Sequence, residues 1–350
     1  MEIKLEKSIV PVLGSGFNRW LLGTSYSSPT LTSWWTLLEY MMWTEDLYRS
    51  PNIQSTLQKR GTPTFAWEAL LHAYKNANDG KDEGDLLESM ATHIRTEANH
   101  VKNNTDIQAR AQRFFKAIKG SRDTCEILSL NYDNLLGSII EPKHIWQEVW
   151  SGRNAHTEKT TPANTTPVKS ISLRTKYCSF DGGRIWFPHG SVKEPGKMVA
   201  GIHRYNRAAT HVIEAYQHYK KIEREQMESK GHKPSLSQKY KIASEINQSS
   251  DVSWITVAIQ SPLLLLGVGL SQEETDIWEF LHLRAREHRR FGKEAPTVWI
   301  LSCAEAETAS VGHWTSLSQG LNIQTLSLGQ TWDDSWSILL KLLESDTTLF

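Results

Sequence analysis

Five short apolar runs stop abruptly at a glycine or a polar turn: Ile9 to Leu13, Glu126 to Leu130, Leu263 to Val268, Val298 to Leu301 and Ile323 to Leu328. Their length and branched side chains read as buried strands. Strands buried on both faces need helices above and below them. Helical patterns at Glu273 to Arg290, Glu305 to Gln319 and Asp334 to Leu343 follow the last three runs in turn. That alternation predicts an α/β fold with a doubly wound, mostly parallel, Rossmann-like sheet.

Other segments interrupt this rhythm. Between the first two runs, apolar residues recur at spacings of three and four, as in Trp67, Leu70, Leu71 and Tyr74 and in Phe114, Phe115 and Ile118. This predicts a helical insertion over about 32–119. Pro142 to Thr175 is rich in Thr, Asn, Pro and Ser, so about 142–184 reads as a loop-rich segment over one end of the sheet. Arg204 to Ile246 is charged and helical in pattern, broken at Gly231 to Pro234, which makes about 204–247 a charged helical segment. A chain of 350 residues with 39% hydrophobic content can bury one large core, and the whole is read as a single domain.

Composition excludes several classes. Acidic and basic residues balance at 39 each, which argues against direct nucleic-acid binding and against an anionic membrane surface. Met1 to Lys7 alternates charged with apolar residues and offers no signal-peptide core, and no apolar run approaches the ~20 residues that span a bilayer. The expected location is the cytoplasm. Cys125, Cys178 and Cys303 are widely separated, so they read as reduced thiols and no metal is expected. Among the fourteen tryptophans, Trp34, Trp35, Trp43 and Trp67 cluster in the insertion, where core anchoring is the first reading and a partner surface the second.

Four motifs carry chemistry. In Val12-Leu13-Gly14-Ser15-Gly16-Phe17-Asn18 a buried strand meets two close glycines and a helix start. Backbone amides there can face a diphosphate, or the glycines can simply make a tight turn. Arg19 stands where the third glycine of a hydride-transfer fingerprint belongs, which disfavours a dehydrogenase. In Leu128-Ser129-Leu130-Asn131-Tyr132-Asp133-Asn134 a strand delivers an amide and a carboxylate two residues apart. Both can reach one ribose or one water, or either can cap the following helix. Ile185-Trp186-Phe187-Pro188-His189-Gly190-Ser191 places a histidine after a short strand, where it can accept a proton beside a glycine that leaves room for a ligand. In Leu266-Gly267-Val268-Gly269-Leu270-Ser271 a second strand ends in glycines and a hydroxyl; Ser271 can also cap a helix from Glu273, with Glu274 completing a capping box.

In this order, G-S-G-F-N, S-L-N-Y-D-N, P-H-G-S and L-L-G-V-G-L-S-Q-E-E-T-D-I resemble the nucleotide-binding core of the SIR2 superfamily, most closely its zinc-free bacterial branch of antiphage NAD hydrolases. The resemblance implies that Gly14, Ser15, Gly16, Phe17 and Asn18 hold the diphosphate side of NAD. It makes Asn131, Asp133 and His189 catalytic, and sets Gly267, Gly269 and Ser271 beside the adenosine. It covers about half of the chain and leaves both the insertion and the charged segment unaccounted for. Sirtuin deacetylases carry a four-cysteine zinc module and a glutamine before the asparagine, whereas here Leu130 fills that position and the cysteines are lacking.

The expected activity is cleavage of NAD to nicotinamide and ADP-ribose, depleting the cell's NAD in abortive infection. Such an activity needs a trigger, and no P-loop sensor motif is present, so an activating partner subunit or homo-oligomerisation is expected. The alternatives are a sirtuin-type protein deacylase or ADP-ribosyltransferase, and a non-catalytic sensor of NAD or ADP-ribose.

Overall fold

A computed structural model describes residues 9–23, 28–49, 53, 62–120, 125–140, 145–151, 173–180, 182–229, 253–270, 274–290, 292–305 and 320–344. Val10–Leu13 (β1) runs directly into Ser15–Leu22 (α1). Helices Pro29–Thr32 (α2), Trp34–Thr44 (α3), Pro63–Ala77 (α4), Glu83–Val101 (α5) and Thr105–Lys119 (α6) precede Cys125–Ser129 (β2). Next come Leu135–Ile140 (α7), Ile145–Ser151 (β3), Leu173–Phe180 (β4), Gly183–Trp186 (β5), Gly201–Ser229 (α8) and Trp254–Ile259 (α9). The chain then alternates Leu263–Leu266 (β6), Thr275–Arg289 (α10), Val298–Ser302 (β7), Ile323–Ser327 (β8) and Trp332–Glu344 (α11).

The eight strands form one sheet in the order β3-β4-β5-β2-β1-β6-β7-β8. Pairing is parallel from β5 through β8, and β4 is antiparallel to both β3 and β5. The expected mostly parallel α/β sheet is therefore present. Successive strand residues face opposite sides, and β1 shows the consequence. Ile9 and Leu13 pack with the insertion helices, while Val10 and Val12 pack with residues of α8, α9 and α10. The insertion thus shares a core with one face of the sheet. Its helices carry their own start signals: Ser33 accepts from Thr36 N, Asp82 and Asp85 form a reciprocal capping box, and Asn104 accepts from Asp106 N and Ile107 N.

Two expectations need correction. The segment of about 142–184 is not a loop over the sheet end: β3 and β4 pair along their whole length, from Ile145 opposite Ser179 to Ser151 opposite Leu173. An antiparallel edge pair does not require a continuous apolar run, and Gln147, Glu148, Arg174 and Lys176 break up the pattern of these two strands. The Thr- and Asn-rich stretch 152–172 lies outside the described residues, as do Ser271, 230–247 and most of the helix read over Glu305 to Gln319. Finally, α10 starts at Thr275 with Glu274 at its N-cap and no side-chain cap, so a Ser271 to Glu274 capping box does not begin it. Among the described residues no helix is long and apolar enough to cross a membrane. All three cysteines are buried thiols.

The turns after β1 and β6 lock together. Gly14 N donates to Leu266 O and Gly16 N to Gly267 O, each at 3.0 Å. A Cβ on Gly14 would strike the Gly267 carbonyl, one on Gly16 would lie 2.7 Å from Gly267 Cα, and Gly267 itself has φ +65° with Phe17 N where its Cβ would lie. Both turns need glycine for close backbone approach. Gly267→Ala is expected to lower stability by about 2–4 kcal/mol through strain and overpacking. Gly269, with nothing within 4 Å of a Cβ, tolerates alanine within about 0.5 kcal/mol. Paired urea melts check this; equal midpoints would refute the interlock.

Candidate functional site

The chain winds from β1 out through β2 and β5 and returns to β6 on the other side of β1. Such a switch point opens a crevice at the carboxyl ends of the strands. A cleft of about 320 Å³ lies there, lined from the sheet side by Gly14, Ser15, Asn131, His189, Gly267 and Gly269. Trp34, Trp35, Trp67 and Tyr205 supply aromatic walls, and Arg19 and Glu274 its charges. Six of the residues singled out in the sequence thus converge, from segments far apart in the chain.

The amides of the first turn are used differently from the expectation. Gly14 N and Gly16 N are held by β6 and its turn, and Phe17 N by Gly14 O at 3.0 Å. What the turn presents to the cleft is Ser15, at the first position of α1, where a helix amide has no acceptor in its own helix. Arg19 lies one turn along the same face and adds a positive charge. Phe17 faces away, 4.8 Å from the Phe114 ring and 5.8 Å from Trp336 in the core.

The β2 turn separates Asn131 from Asp133. β2 ends at Ser129, so the strand alternation that would aim both side chains one way no longer applies. Asn131 Nδ2 donates to Gly14 O at 3.0 Å, tying the end of β2 to the first glycine turn at the rim of the cleft. Asp133 is buried: its Oδ1 accepts from Leu135 N at 3.0 Å, capping α7, and its Oδ2 accepts from Asn18 Nδ2 at 2.8 Å. Asn18 also donates to Leu31 O at 3.0 Å. Asn18 and Asp133 therefore tie α1, α2 and the β2 turn together. Asp133 borders a smaller recess of about 50 Å³ that it shares with Ser15, Trp34 and Asn131. Burial raises its carboxyl above the ordinary value, against the hydrogen bonds from Asn18 and Leu135.

His189 is 2% exposed and belongs to a turn closed by Gly190 N donating to Phe187 O at 3.0 Å. Gly190 has φ +79° and packs against Lys197 O, so that glycine serves the turn and not a ligand. His189 Nε2 lies 3.0 Å from Asp276 Oδ2 in the first turn of α10. With Nε2–H donating, Nδ1 is the proton-accepting atom, and it has no hydrogen-bond partner among the described residues. The imidazole edge meets the Tyr205 ring at 5.2 Å. Burial alone would drive the imidazolium down, but the Asp276 carboxylate, with help from Glu274, more than offsets it and His189 ends above its ordinary value. Tyr132 donates to Val199 O and is hydrogen-bonded to Tyr205. Burial pushes both phenols well above their usual range, so they stay neutral.

Sequence reasoning missed Asp276, Tyr205, Trp34, Trp35 and Trp67 as site residues. Asp276 sat in view, a carboxylate in an acidic helix start; the tryptophans read as core, and Trp34 does pack edge-on against Tyr132 at 5.4 Å while facing the cleft. Comparison with protein-family models, curated proteins and solved structures returned no match.

A histidine raised by a buried carboxylate contributes stability that is complete below its unfolded value of about 6.5 and lost as pH rises through the folded value. Asp276→Asn is expected to leave Glu274 as the remaining charge opposing burial and bring His189 below the wild type. An NMR titration of the imidazole checks this, and an unchanged midpoint would rule out the pairing.

Proposed function

We propose that the cleft binds NAD and hydrolyses its nicotinamide–ribose bond. The observation that carries this reading is the convergence of Asn131, His189 and both glycine turns on one crevice at the sheet's switch point. The motif order resembling SIR2-like NAD hydrolases supports the choice of substrate. Aromatic walls suit the flat nicotinamide and adenine rings, and Arg19 with the Ser15 amide suits a diphosphate. The open space at Gly269 suits the adenosine side.

The chemistry asks little of the protein. The C1′–N bond breaks with its electron pair leaving on nicotinamide, which departs as a neutral molecule from a cationic ring. Water oxygen bonds to C1′ and loses a proton, so NAD and water give nicotinamide, ADP-ribose and a proton. His189 Nδ1 accepts that proton, while Asp276 holds the ring and stabilises the imidazolium. Asn131 orients the water or a ribose hydroxyl. Asp133, with both oxygens engaged, acts as a positioning residue that fixes the turn carrying Asn131. No metal takes part. NAD depletion in antiphage abortive infection follows as the biological reading, with a partner subunit or self-assembly as the trigger. Trp43 and Phe65, 62% and 55% exposed on the insertion, support a protein contact there.

His189→Ala is expected to lower NAD consumption by about 10²- to 10⁴-fold, and to lower melting as well because it leaves the buried Asp276 carboxylate without its partner. Asn131→Asp loses the donor to Gly14 O, costing about 1 kcal/mol of stability, and should reduce cleavage at least as far. A variant of either kind consuming NAD at the wild-type rate, in the activated assembly, would remove that residue from the mechanism.

Because the base must be neutral to act, wild-type cleavage should rise with pH through a value above 6.5. Asp276→Asn should shift that limb to lower pH, and a profile flat across this range would contradict a histidine base.

A further inference from the structure

A second cleft, of about 350 Å³, lies where the end of α5 and the start of α6 meet α7 and the chain beyond His189. It has no lining residue in common with the first cleft. Three cationic side chains line it, Arg95, Lys102 and Lys193, and no carboxylate does. The chain as a whole is balanced at 39 acidic and 39 basic residues, so this grouping is not an overflow of a basic composition.

The two half-buried cations keep donors to spare among the described residues. Arg95 Nη2 reaches Glu88 Oε1 at 2.6 Å, but its Nε is buried without a hydrogen-bond partner. Lys102 Nζ donates to Asn99 Oδ1 at 2.8 Å, a neutral acceptor. Three cations around one concave wall raise the local positive potential, of which Glu88 offsets Arg95's share. The amides of Asn103 and Asn134 and the Ser138 hydroxyl also line the wall and offer neutral hydrogen-bonding groups around that charge.

We propose that this second cleft binds a phosphate-bearing small molecule. Phosphate oxygens suit the Arg95 guanidinium beyond its Glu88 contact and the Lys102 ammonium, and the amide wall suits a polar body attached to the phosphate. The site adjoins the first through shared segments: Asn134 follows Asn131 on the same turn, and Val192 N donates to Tyr132 O at 3.0 Å just before Lys193. It stands independently of what the first cleft cleaves.

Calorimetric titration of the full chain with pyrophosphate, and separately with ADP, tests this. The double variant Arg95→Gln/Lys102→Gln should raise the pyrophosphate Kd at least tenfold, whereas Arg19→Ala, in the first cleft, should leave that binding event in place. Tighter binding of ADP than of pyrophosphate would assign the amide wall to a nucleoside; equal binding would assign the site to the phosphate alone. Should the double variant fold poorly, Lys102→Gln alone should weaken pyrophosphate at least threefold with an unchanged melt. No pyrophosphate binding by the wild type, unchanged affinity in the variants, or loss in Arg19→Ala alone would each overturn the proposal.

Discussion

Gly14 and Gly16 lie against Gly267 at a backbone separation that no Cβ could share, and this contact fixes the geometry of everything around the cleft. It joins the ends of β1 and β6, the two strands between which the winding of the chain reverses. α1 begins immediately after the first turn, and α10, on the other face, at Thr275, so the same contact sets where α1 starts and where the crevice opens. Asn131 extends the arrangement by donating to the carbonyl of Gly14, and the Asn18 to Asp133 bond anchors the other side of the same turn.

The chemistry rests on a different constraint. A histidine this deeply buried would ordinarily be neutral and weakly basic, yet Asp276 faces it from the first turn of α10 and reverses the balance. A buried carboxylate with one oxygen unpartnered is costly, which makes the pair hard to explain as packing alone. The phenols of Tyr132 and Tyr205 stay neutral beside the pair, and Nδ1 is the imidazole nitrogen that does not face Asp276.

Much of the sheet is legible in the sequence. Strands whose faces are both buried announce themselves as apolar runs, so five of the six parallel strands described are legible within a residue or two, β5 shows only as the short strand before His189, and the terminal motifs point to one sheet edge. The β3–β4 hairpin was missed because an edge pair carries charges along its length. Pairwise side-chain ties are not written in local spacing: Asp133 with Asn18 and His189 with Asp276 span 115 and 87 residues. For the same reason the glycine turn suggested free amides for a phosphate, whereas the neighbouring turn, 251 residues away from Gly16 at Gly267 (267 − 16), takes them. Trp34 illustrates a third limit, since a ring can serve core and cleft at once and hydrophobicity does not tell the two apart.

The central claim is that NAD occupies the crevice formed by the two glycine turns, Asn131 and His189. Amide hydrogen exchange of the full chain with and without carba-NAD, whose carbocyclic ribose prevents cleavage, tests it most directly. Protection confined to 13–19, 130–133, 187–190 and 267–270, with the face of α5 and α6 unchanged, is the expected result. Saturating carba-NAD that leaves exchange at those segments unaltered, or that protects another surface instead, would contradict the account.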